Sequence, residues 1–231
     1  MTIEELLDMA KYGELRNLKL GSEENAALLS YINLGLIELY KRFPLKVKEA
    51  IIELVDSPNN EYPLPSDCMW LVTAFGEVPE NQSQYTSWEL AINNEDDPLS
   101  INTVSWNTIQ VPVTMEGSYI SLIYAAAPNT IKLTETEFTE GTVTIPANTY
   151  WQYIDDVPTV IKDIDLPIQL IEPLLFYIGY RAHGAMDGNI QSESNTHYMR
   201  FDKSCQKIKT DGMFTNDNLD MKYRVREKGF V

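Results

Sequence analysis

Cysteine and histidine are nearly missing from this 231-residue chain, which has two of each. Two thiols could form one disulfide, which nothing in the pattern supports. Cys68 and Cys205, each set in an apolar pattern, are expected to be buried small hydrophobes. His183 and His197 lie fourteen positions apart, without the i, i+4 spacing or nearby cysteines of a zinc site. Basic charge is scarce too: 18 Lys and Arg against 34 Asp and Glu leave a net −16, which argues against gripping nucleic acid through counterion release. An acidic surface can still keep a chain soluble, or line a channel through which DNA slides without sticking. No apolar run approaches the ~18 residues that span a bilayer. Met1–Lys11 is acidic and amphipathic, unlike a secretory signal, so a cytoplasmic site of synthesis and assembly is expected. Phosphate loops of the Walker or dinucleotide type are absent, as are internal repeats.

What is present is a 3.6-residue period at both ends and short strand signals between. Thr2 can cap a first helix whose stripe is Ile3, Leu6, Leu7 and Ala10. A second helix is predicted over Ser22–Phe43, with Ser22 as cap, Glu23 and Glu24 at the positive end of its dipole and Lys41 and Arg42 at the other. Leu29, Ile32, Leu36, Leu39 and Phe43 form its packing stripe, and Pro44 stops it. Pro167 opens a wide-striped helix over Leu166–Met186, carrying Leu170, Ile171, Leu174, Leu175, Ile178 and Ala182. After the Asp187-Gly188-Asn189 break, a last helix over Ser192–Thr210 should turn Tyr198, Phe201, Cys205 and Ile208 inward and Arg200, Lys203, Lys207 and Lys209 outward.

Between the helices, β-branched content and alternation from Val47 to Val55 predict a strand, followed by a turn at Ser57-Pro58-Asn59-Asn60. Further strands are expected at Trp70–Ala74, Ser87–Ile92, Thr108–Val113, Tyr119–Tyr124, Thr142–Ile145 and Val157–Ile161; Cys68–Phe75 could instead be a short helix. Prolines at 63, 65, 79, 98, 112, 128, 146 and 158 suit short strands better than helices. The predicted class is α+β: a helical bundle from residues 1–44 and 164–212, a β-rich insertion of sandwich or barrel type over 45–163, and an extended C-terminal arm over 213–231. The arm alternates basic Lys222, Arg224, Arg226 and Lys228 with Met221, Tyr223 and Val225, a strand pattern that can add to a sheet edge or dock on an acidic neighbour.

Catalytic signals are thin. Glu95-Asp96-Asp97 lacks the spaced ligands and central glycine of a calcium loop and reads as an exposed turn. Asp155 and Asp156 beside Trp151 and Tyr153 offer carboxylates near aromatics, as a glycosidase cleft would, but adjacent residues on a strand point to opposite faces. Trp70, Trp88, Trp106 and Trp151 all fall in the β-rich region, as core residues or interface anchors. Neither a cofactor nor an enzymatic activity is expected.

Several phrases in a fixed order then become specific: Leu36-Ile37-Glu38-Leu39-Tyr40-Lys41-Arg42-Phe43-Pro44-Leu45, Tyr62-Pro63-Leu64-Pro65-Ser66-Asp67, Ile92 to Ile101, Tyr124-Ala125-Ala126-Ala127-Pro128, and Asp165-Leu166-Pro167 before a long helix. Over Glu23–Thr210 this pattern resembles the head-to-tail adaptors of short-tailed bacteriophages, also called tail tubular or head completion proteins. The resemblance implies a structural virion protein of the head-tail neck, assembled in the host cytoplasm. It would form a dodecameric ring of identical copies under the portal protein, dock a tail or nozzle protein, and let DNA pass without specific binding or membrane contact. The arm then occupies the place from which such proteins reach the portal, making Met221, Tyr223, Arg224, Val225, Arg226 and Phe230 the expected docking residues for portal or neighbouring subunit. The alternatives are a carbohydrate- or receptor-binding β-lobe of a tail protein, and a cell-wall glycosidase.

Overall fold

The computed structural model describes residues 1–21, 24–55, 58–77, 88–112, 119–185 and 191–212. It is α+β, with helices and several antiparallel sheets divided between two compact units. The first unit comprises Met1–Phe43 and Asn129–Val231, and the second Pro44–Pro128.

In the first unit, α1 (Ile3–Tyr12) starts as its sequence dictates: the Thr2 hydroxyl accepts from the Glu5 amide, and the Glu5 carboxylate accepts from the Thr2 amide. Its buried residues are the predicted Ile3, Leu6, Leu7 and Ala10. The next helix, α2 (Asn25–Arg42), begins after Glu24, which makes no side-chain cap bond; Ser22 and Glu23 lie outside the described residues. After a 3-10 turn at Ile168–Leu170 with Pro167 before it come α3 (Ile171–Ala185) and α4 (Gln191–Thr210). The inner face of α4 is Ser194, His197, Phe201, Cys205 and Ile208. Tyr198, expected there, is 41% exposed, because it sits one position beyond His197 on a helix where 100° per residue turns it outward. Burial pushes the Cys205 thiol up to about 11, so it behaves as an inert small hydrophobe.

Glycines let these helices approach. A Cβ on Gly35 would lie 2.5 Å from Leu174 Cδ1, and one on Gly179 would lie 2.8 Å from His197 Nδ1. The Arg42 guanidinium reaches Asp202 at 2.6 Å while its carbon lies 4.5 Å above the Phe201 ring, tying the end of α2 to α4.

The second unit holds β1 (Val47–Glu53), β2 (Glu61–Pro63), β3 (Cys68–Glu77), β4 (Trp88–Leu90), β5 (Asn102–Ser105), β6 (Thr108–Gln110) and β7 (Tyr119–Ala126). One antiparallel sheet runs β1-β7-β3-β4 and the other β2-β6-β5. Residues of both sheets, among them Tyr62, Ala74, Leu90, Ile109, Ile120 and Leu122, share one core. β7 is a nearly continuous apolar run because it is central and buried along almost its whole length. Its one polar interior residue, Ser121, donates to the Glu49 carboxylate of β1. Cys68–Phe75 is strand, not helix, and Gly76 gives the Trp88 indole of β4 room to lie against β3.

Residues 129–163, expected to belong to the β-rich insertion, are part of the first unit. They form β8 (Lys132–Thr134), β9 (Phe138–Glu140), β10 (Val143–Ile145), β11 (Thr149–Ile154) and β12 (Val157–Val160), in sheets β10-β9 and β12-β11-β8. The physical reason is an anchor on α2: Asn33 donates to the Ile131 carbonyl at 2.8 Å and accepts from the Ile131 amide at 2.9 Å. At the other end, the Ile3 amide donates to Lys162 and the Ile164 amide to Met1.

Candidate functional surfaces

The expected docking residues Met221, Tyr223, Arg224, Val225, Arg226 and Phe230 lie outside the described residues. Of the other candidates, Glu95–Asp97 lies in a loop where Glu95 and Asp96 are exposed and Asp97 is half-buried, held by side-chain bonds to its own backbone. Asn94 Oδ1 accepts from the Asp96 amide and Asp97 Oδ1 from the Leu99 amide. Asp155 and Asp156 are the two-residue turn of the β11–β12 hairpin, with φ of 48° and 61°, where short polar residues tolerate the left-handed region. Both are exposed turn residues rather than strand residues, so they do not point to opposite faces of a strand.

The tryptophans separate. Trp151 is buried and Trp70 and Trp88 are half-buried, whereas Trp106, at the β5–β6 connection, is 86% exposed. Trp106 and Trp70 line a groove with Leu64, Met69 and Leu71. In the first unit Trp151 packs against Phe138 and Tyr153 at 4.9 and 5.3 Å between ring centroids. The Lys132 ammonium lies 4.7 Å from the rings of both Trp151 and Tyr153, so the rings already hold a cation of the chain itself. Tyr153 donates to Glu140 at 2.7 Å, which raises its phenol.

The structure brings together a pair that the linear spacing had kept apart. His183 on α3 and His197 on α4 stack with centroids 4.9 Å apart and planes 11° from parallel. His183 Nε2 is 3.2 Å from the Glu14 carbonyl oxygen and donates to it, which leaves Nδ1 facing the Glu193 carboxylate at 3.3 Å. His197 Nδ1 lies 3.2 Å from the Glu14 carboxylate, with Arg200 3.9 Å from that same carboxylate oxygen. Both Nδ1 contacts fall within ion-pair distance but off the line of a hydrogen bond. The signal for this pair was its placement on either side of the Asp187–Asn189 break, His183 four residues before it and His197 eight after, so that an antiparallel helical hairpin can bring the two side by side.

Burial lowers the His197 pKa below the ordinary imidazole range. The pull of Glu14 opposes the shift and the neighbouring His183 and Arg200 add to it. The folded protein therefore binds fewer protons than the unfolded chain just below neutrality. His197 thus favours the folded state fully above the unfolded imidazole pKa, and this contribution is lost as pH falls through that value toward the folded one. Thermal melts from about pH 7 to about pH 5 should show a declining Tm, with a shallower decline in His197→Gln. Equal slopes would show that His197 does not set this dependence.

In the second unit, Asp67 is held below the usual carboxylate range. Burial pushes it up, but hydrogen bonds from Lys48 at 2.8 Å and Tyr124 at 3.0 Å outweigh that. Tyr124 is raised in turn, by burial and by the same carboxylate, so this cluster ties β1 and β7 to the segment before β3 and has a structural role.

Among the described residues no group of three or more His, Cys, Asp or Glu side chains is placed to hold a metal ion, and no helix is long and apolar enough to cross a membrane. Comparison with known proteins gives no match, either to a family model or to a curated protein.

Proposed function

We propose that this chain is a structural virion protein, a head-to-tail adaptor whose copies form a ring under the portal, complete the capsid vertex, dock the tail and line the DNA passage. The observation that supports this most is where the specific sequence phrases fall in the fold. The helix end at Tyr40–Leu45 lies where the chain leaves the first unit, Tyr124–Pro128 where it returns, and Asp165–Pro167 at the turn into α3. These phrases thus mark the joints of an architecture in which a β unit interrupts a helical one, with Tyr62–Asp67 and the 92–101 loop inside that β unit.

In this role the helices of the first unit, acting as a bundle, build the ring wall, and the basic outer face of α4, with Lys203 and Lys207, meets an acidic neighbour. The net acidity lets DNA pass without holding it. Deleting Lys222–Val231 is expected to abolish capture by the cognate portal ring while leaving the thermal melt unchanged. Undiminished capture would remove the arm from portal docking.

A second role is favoured by one observation, the 86% exposure of the Trp106 indole beside a groove lined by both apolar and polar side chains, Asn93, Thr103 and Ser105 among them. A receptor- or carbohydrate-binding β unit would use such a side chain, and Trp106→Ala would then abolish adsorption or glycan-induced fluorescence changes without altering portal capture.

A further inference from the structure

The free edge of β1 has a pattern that the C-terminal segment complements. β1 lies at the end of the order β1-β7-β3-β4, and among the described residues nothing pairs with its other side. Along it Glu49, Ile51 and Glu53 are exposed, continued by exposed Val55, while Ala50, Ile52 and Leu54 turn toward the core. One face is therefore acidic and apolar by turns, and the other, beyond Lys48, whose ammonium is held by Asp67, continues a hydrophobic interior. The segment 221–228 has the complementary strand pattern: Lys222, Arg224 and Arg226 share one face, and Met221, Tyr223 and Val225 the other.

We propose that residues 221–228 of a neighbouring copy add to β1 as a further strand. The basic face would lie beside Glu49 and Glu53, and the apolar face would extend the sheet's interior past Ala50 and Ile52. Main-chain hydrogen bonds to an open edge supply affinity, and the alternating side chains supply register. Like charges directly opposite would oppose pairing, so the match of Arg and Lys to Glu selects this partner. The choice of a second copy rests on the ring assignment above: a cyclic assembly needs two different, mutually complementary surfaces on each subunit, and the basic segment and the acidic edge are such a pair. A long, partly apolar edge left open is also an aggregation hazard, which a docked strand removes.

The test uses a labelled synthetic peptide of residues 217–231, titrated by fluorescence anisotropy into the full-length chain at a dilution where light scattering shows monomer. The expected result is saturable binding, weaker by about tenfold or more in Glu49→Lys/Glu53→Lys, with a peptide carrying Arg224→Glu/Arg226→Glu preferring that variant chain. Both glutamates are exposed, but Glu49 also accepts from Ser121, so a thermal melt verifies that the variant is folded and Glu53→Lys alone repeats the test away from that contact. Equal affinity for wild type and variant, or no binding, would overturn the β1 site. Binding seen only with a chain truncated after Asp220 would mean that each copy's own arm holds the edge, which overturns the exchange between copies. Portal capture of the full-length chain is read separately: capture without peptide binding rejects this edge site alone, whereas peptide binding without capture rejects the adaptor assignment.

Discussion

Gly179→Val should destabilise the protein by about 3 kcal/mol, and even Gly179→Ala should cost about 1 to 2 kcal/mol, despite alanine's advantage of roughly 1 kcal/mol over glycine inside a helix. The clash outweighs propensity because of what the added carbon meets. At Gly179 a Cβ would sit 2.8 Å from Nδ1 and 3.0 Å from Cγ of His197. That ring cannot yield easily, being buried and stacked on His183 at 4.9 Å between centroids. Gly184 is the internal control. Its Cβ would meet only the Ser194 hydroxyl, at 3.2 Å, so Gly184→Ala should fall within about 0.5 kcal/mol of wild type. Urea denaturation of the three variants checks the ranking; a Gly179→Ala protein more stable than wild type would show that α3 and α4 are not packed through this glycine.

Asn33→Ala should cost about 2 kcal/mol or more, since it strips both backbone groups of one residue of their partners. Asn33 bonds the Ile131 carbonyl and amide at 2.8 and 2.9 Å, and Ile131 is 4% exposed, so water cannot readily replace the amide side chain. The loss should be local before it is global. Hydrogen exchange at the Ile131 amide is expected to accelerate markedly in the variant, while the β7 amides of the other unit keep their protection. Unchanged protection at Ile131 would show that another group fixes the chain where it rejoins the first unit.

These two positions mark what the sequence made legible and what it did not. Helices announced themselves through spacing: Ile3, Leu6, Leu7 and Ala10 are buried as their period requires, and Phe201, Cys205 and Ile208 likewise. Tyr198 lies at the edge of the same stripe, and the inward position falls to His197, whose ring packs against Gly179 of the facing helix. Long strands with branched or apolar content, Val47–Glu53 and Tyr119–Ala126, were visible. Short polar ones, such as Asn102–Ser105 and Phe138–Glu140, were not, since three or four residues carry too little alternation to register.

The grouping of residues 129–163 with the first unit was not legible for a different reason. Strand composition says nothing about which core a hairpin joins, and the deciding contact, Asn33 with Ile131, spans 98 positions. The histidine pair was hidden in the same way, by separation along the chain, although its placement on either side of the helix break was on view. Asp155 and Asp156 were visible as a polar pair, and only the positive φ of both identifies them as a turn.

The measurement that tests the adaptor assignment most directly is the mass of the full-length protein by light scattering, alone and with the cognate portal ring, beside a chain truncated after Asp220. The account predicts a discrete complex whose added mass is a whole number of 26.4 kDa subunits, near twelve for a dodecamer, formed only by the full-length chain. Full-length protein that keeps its own mass in the presence of portal would contradict it.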